Sequence, residues 1–152
     1  MHDINNSFTY AYSAGTDADF LQNVNQSEIS TNVIDLDTTL GIGIVGSKGP
    51  YLIIKCPTAG ATSGSIEMQL ISSTHADLTS GTSDIIGMWR FTHTVMAAGT
   101  LLVNQQLPIG KYRKYLGIKF ISWTTTCAGV EAFLSDSPET PASIPSSVTA
   151  GS

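Results

Sequence analysis

Apolar and polar positions in this chain alternate in short runs and almost never recur at helical spacing. Ser65 to Ile71 shows it best: Ile66, Met68 and Leu70 fall on one face, Glu67 and Gln69 on the other. A period of two is the mark of a half-buried strand. Phe8-Thr9-Tyr10-Ala11-Tyr12 alternates in the same way, and Asn32 to Leu36 and Leu40 to Val45 follow it, the latter broken by Gly41 and Gly43. Tyr51-Leu52-Ile53-Ile54-Lys55-Cys56 is bounded by Pro50 and Pro57, which punctuate a strand at both ends. In Asp84 to Val95, Ile86, Met88, Arg90, Thr92 and Thr94 share one side. Ile85, Trp89, Phe91, His93 and Val95 share the other, with Gly87 at a bulge position. Thr100 to Leu107, Tyr112 to Trp123 and Gly129 to Leu134 complete the set.

Glycine- and serine-rich turns separate these runs, as in Gly60-Ala61-Thr62-Ser63-Gly64 and Ser80-Gly81-Thr82-Ser83. The one helical window, Asp17 to Val24, sets Phe20, Leu21 and Val24 on one face. It is short and rich in Asn and Gln, and predicts one helical turn or a loop. A parallel sheet needs crossover helices that are missing here. The pattern therefore predicts an all-β fold, an antiparallel jelly roll or β-sandwich of about eight strands.

Composition narrows the function classes. The chain has 152 residues, enough for one self-sufficient core, and only 12% are charged. Low charge with 41% apolar residues excludes general disorder. No apolar stretch is long enough to span a membrane, and Met1 to Asn6 lacks the basic and apolar regions of a secretory signal, so a soluble protein made in a cytoplasm is expected. A net charge of −5 argues against direct nucleic-acid binding. Lys111, Arg113, Lys114 and Lys119 nonetheless form a local basic strip, read either as a solvated strand edge or as a face for an acidic protein surface. Residues 136–152 hold three of the six prolines and predict a free tail or an extended arm.

Candidate chemistry is sparse. Cys56 and Cys127 are isolated thiols in apolar runs and read as core. His75-Ala76-Asp77 has the spacing of two metal ligands but lies between strands, with no further His to complete a site. Gly41-Ile42-Gly43-Ile44-Val45-Gly46 matches a phosphate-loop spacing with no long helix behind it. No Gly-x-Ser-x-Gly elbow is present. The expectation is a protein that is not an enzyme, with no catalytic residues, metal, cofactor or small-molecule substrate. Trp89, Trp123, Tyr112 and Tyr115 leave open a carbohydrate-binding surface, although Trp89, set among Ile, Met and Phe, is expected to be buried.

Several segments in a fixed order carry a family resemblance. Ser30-Thr31-Asn32-Val33-Ile34-Asp35-Leu36 comes first, then Gly49-Pro50-Tyr51-Leu52-Ile53-Ile54 and Gly64 to Ser73. Leu107-Pro108-Ile109-Gly110-Lys111-Tyr112-Arg113-Lys114-Tyr115-Leu116-Gly117-Ile118 and Gly129-Val130-Glu131-Ala132-Phe133-Leu134 follow. In this order the chain resembles the small capsid cement (decoration) proteins of tailed bacteriophages, of the Bordetella phage type. The resemblance implies a jelly-roll domain over residues 30–135, an N-terminal extension over 1–29 and a C-terminal tail or arm over 136–152. It also implies a homotrimer on the outer surface of a phage head, binding the major capsid protein and stabilising contacts between its subunits. Lys111, Arg113 and Lys114 are then the candidates for capsid or trimer contact. The competing expectation is a jelly-roll carbohydrate- or receptor-binding module of a phage head fibre or tail.

Overall fold

The computed structural model describes residues 6–9, 22–24, 26–36, 49–56, 63–110, 112–123 and 127–139. The predicted strand at Leu40–Val45 with its glycine spacing, most of the Phe8–Tyr12 run, Lys111 and the tail from residue 140 lie outside these residues, as do the side chains of Trp123 and Cys127.

Nine strands are present among the described residues: β1 (Gln22–Val24), β2 (Glu28–Ile29), β3 (Ile34–Asp35), β4 (Tyr51–Cys56), β5 (Ser65–Ser73), β6 (Ser83–Thr92), β7 (Thr100–Gln106), β8 (Tyr115–Trp123) and β9 (Cys127–Ser135). They form two antiparallel sheets, ordered β1-β9-β4-β7 and β2-β8-β5-β6, with β3 also pairing β8. Counting β2 and β3 as two pieces of one strand on β8 gives the eight-strand order of a jelly roll. The all-β sandwich expected from the alternation is the fold observed.

The core lies between the sheets. Leu52, Ile54 and Cys56 of β4, with Val130, Ala132 and Leu134 of β9, meet Ile66, Met68 and Leu70 of β5 and Leu116, Ile118 and Phe120 of β8. Cys56 is fully buried, as its apolar run predicted. Alternation fails at Ile53, which is fully buried yet stands outside this core, on the other face of β4 opposite Phe133.

Three differences from the sequence reading have local causes. Gln22–Val24 is a strand paired with β9, not a helical turn, and Gln22 is a buried polar residue whose amide is bonded at both ends: Nε2 donates to the Ile29 carbonyl (3.0 Å) and Oε1 accepts from Thr31 N–H (2.9 Å). With β2 also preceding residue 30, the sheet framework begins inside the segment expected to be an extension. The third lies in β6. Leu70 pairs with Gly87 and Ile71 with Ile85, so Ile86 is an inserted residue. The bulge reverses the phase of the strand. Ile85 therefore points outward, 58% exposed, while Trp89 and Phe91 pack against the core.

Among the described residues the sandwich has a closed side and an open side. On the closed side, Asn32 Nδ2 donates to the Ser7 carbonyl (2.7 Å) and Ser30 Oγ accepts from Ile118 N–H (3.1 Å). There Phe8, fully buried, is tied by its N–H to Ala132 (2.8 Å). The open side lies between β6 and β7, the end strands of the two sheets.

Candidate interaction surface

The open side is shaped by its bulges. Ile54 pairs with Val103 and Lys55 with Leu101, leaving Leu102 inserted in β7 as Ile86 is in β6. Both inserted side chains, together with Trp89 and Phe91, are partly buried against the core. Trp89 lies back over Gly87, where a Cβ would stand 2.5 Å from the indole ring. Its Nε1–H donates across the seam to Gln105 Oε1 of β7 (3.2 Å). Burial of Trp89 was expected and is partial. The ring caps a seam, with its polar edge satisfied at the rim.

Outside the seam, Ile85 and Met88 are 58% and 60% exposed on the outer face of β6, with Val95 exposed in the following turn and Ile109 at the opposite end. A ten-residue edge strand carrying exposed apolar side chains is the form of surface that pairs with or packs on another chain. Arg90 and Glu67 are register partners beside this patch, and Gln69 bonds Glu67 (2.5 Å).

The predicted basic strip does not form a strand edge. Arg113 and Lys114 lie in the connection before β8, and Lys119 lies in β8, an inner strand between β2 and β5. Arg113 Nε donates to Asp84 Oδ2 at the start of β6 (2.7 Å), and its backbone N–H to Ser72 Oγ (2.7 Å). Lys114 Nζ stands 3.8 Å from Asp35 Oδ2 and 5.4 Å from the Tyr115 ring centre. Both ion pairs are partly exposed, so each contributes at most about 1 kcal/mol.

The His75-Ala76-Asp77 spacing falls in the β5–β6 turn. Asp77 caps that turn: its carboxylate accepts from Thr79 N–H (3.0 Å) and from the Ser80 N–H (2.8 Å) and hydroxyl. The Ser80 hydroxyl first, then these N–H groups, hold its carboxyl below the ordinary 3.8. Next to it Leu78 adopts a left-handed conformation (φ +57°) that drives its side chain, 2% exposed, onto Gly117 of β8. Tyr112 is partly buried, donates to the Pro108 carbonyl (2.5 Å) and has its pKa raised above 10.0 by that burial. Among the described residues no three His, Cys, Asp or Glu side chains converge as a metal site.

One surface feature had no signal in the sequence pattern. Past β9 the chain reverses over the outer face of the first sheet. There the Glu139 carboxylate pairs with Lys55 of β4, and the Glu139 carbonyl accepts from Asn104 Nδ2 of β7 (2.6 Å). Lys55 also stands 5.3 Å from the Phe133 ring centre.

Residues 19–134 match the family described as Bbp16, which covers most of the chain and all but the last residue of the nine strands. No curated protein matches the chain.

Proposed function

Because the chain belongs to the Bbp16 family, a Bordetella phage protein family, we propose that it is a structural protein of the virion, a cement protein on the outer face of the head. The family match carries this reading, and the shape of the molecule supports it. A jelly roll with an exposed apolar edge strand presents surface for contact with other chains. In this reading the chain catalyses nothing and holds no cofactor; its work is adhesion repeated over a shell. Many weak copies of one contact give avidity without a deep pocket. A trimer places three equal edges about one axis and closes the set.

The capsid-facing end would be the one holding Arg113, Lys114 and exposed Ile109, facing carboxylates of the major capsid protein. Arg113 is already paired with Asp84, so docking through it exchanges one carboxylate partner for another.

Light scattering of the purified protein should give about 48 kDa, three copies of a 16.1 kDa chain. The protein should co-sediment with empty heads at low salt and be released as salt rises. Failure to bind heads at any salt would overturn the cement role. Binding that is indifferent to salt would remove the basic residues from it.

A further inference from the structure

We propose that the seam between β6 and β7 is the docking groove for the chain's own residues 140–152. The direction of the preceding segment is the first argument. From Ser135 at the end of β9, the chain turns back across the face of β4 and reaches β7, where Asn104 holds the Glu139 carbonyl and Lys55 the carboxylate. Among the described residues β7 is the last strand of its sheet, so the chain is delivered at the edge of that sheet. The next residue of β7, Gln105, is the one that bonds Trp89 in the seam.

Chemistry and length agree. Residues 140–152 carry no charged side chain, and neither do Ile86, Trp89, Phe91, Leu102 and Gln105 around the seam. Pro141 and Pro145 favour an extended chain around the edge, and they cannot donate to β7. Ser146 to Ser152 is free of proline and can donate. Ile144 and Val148, four residues apart, share one face of an extended chain and would cover Trp89 and Leu102. Thirteen extended residues reach about 40 Å, and the seven of β7 span about 23 Å, so the segment can follow the whole edge. A neighbouring copy is not needed to supply it. The inference stands apart from the virion role, since its test uses the purified protein without heads.

The test uses full-length protein carrying Ile144→Asp and Val148→Asp in a Trp123→Phe background, where Trp89 is the one remaining tryptophan. Residues 144 and 148 lie beyond the last of the nine strands, so the sandwich should persist. Expected are a red shift of Trp89 emission and amide exchange in Leu101–Gln106 faster by about tenfold or more. A second variant ending at Glu139 should behave alike, and a synthetic 140–152 peptide added to it should restore protection. Unchanged emission and exchange in both variants would overturn the proposal. So would protection in the parent protein that vanishes on dilution together with an oligomer, since the segment would then come from a neighbour.

Discussion

Replacing Gly117 by alanine places a methyl group 2.5 Å from Leu78 Cδ1 and 3.2 Å from Val33 Cγ2. The leucine cannot easily yield, because its side chain is buried and its left-handed backbone fixes the direction of approach. Overpacking of this kind costs about 1–3 kcal/mol. Leu78→Ala empties the same space and should cost about 2–4 kcal/mol. In the double variant the new methyl occupies part of the void, so the loss should fall short of the sum by about 1 kcal/mol or more. Urea denaturation of the four proteins, at matched m-values, measures the cycle. A companion comparison tests the backbone. At most strand positions glycine is worse than alanine, but in the left-handed region Leu78→Gly should be more stable than Leu78→Ala by about 1 kcal/mol. Additivity within about 0.5 kcal/mol would refute the packing argument. Alanine exceeding glycine at position 78 would refute the conformational one.

Two further outcomes are expected. Met88→Glu should change stability by less than about 0.5 kcal/mol, since the side chain is 60% exposed, yet weaken self-association or head binding. Sedimentation showing unchanged association and head occupancy would remove the outer face of β6 from the contact. The Asp77 carboxyl has a lowered pKa in the folded state, so its contribution to the β5–β6 turn is complete above the ordinary 3.8 and is lost as pH falls through the lower folded value. An NMR titration should show the Thr79 and Ser80 amides shifting together in that acid range, and Asp77→Asn should abolish the transition. Persistence of the same transition in the variant would assign it to another group.

The readable parts of the fold are those where one face is buried and one is wet. β5 declares itself because Glu67 and Gln69 interrupt Ile66, Met68 and Leu70 at every second place. β1 does not, because a buried Gln22 satisfied by Ile29 and Thr31 looks polar in sequence and three residues are too few to show a period. A period of two sets Ile85 on the face of Trp89; one inserted residue at Ile86 moves it to the other side, and an insertion is visible only in the pairing with β5. The Asn32 to Leu36 stretch looks like one strand. In the structure Ser30 and Asn32 spend their side chains on Ile118 and Ser7, and only Ile34 and Asp35 pair as strand β3. Of the surface, the basic residues were legible as composition. Their partners Asp84 and Asp35, and the Lys55–Glu139 strap, depend on long-range neighbours that no local spacing encodes.

The place of β9 bears on how the molecule is made. It pairs with β1 on one side and β4 on the other, although it is the last of the nine strands to leave the ribosome. Until Val130 can meet Gln22 and Phe133 can meet Ile53, the first sheet is two separated pieces with a vacant slot between them. Such long-range closure is slow compared with local pairing. A chain whose translation stops before residue 127 keeps two raw edges and a core that lacks Val130, Ala132 and Leu134, a form open to proteases and to aggregation. Synthesis of the final strand thus acts as a completeness check, and chains that fail it should never accumulate as folded protein.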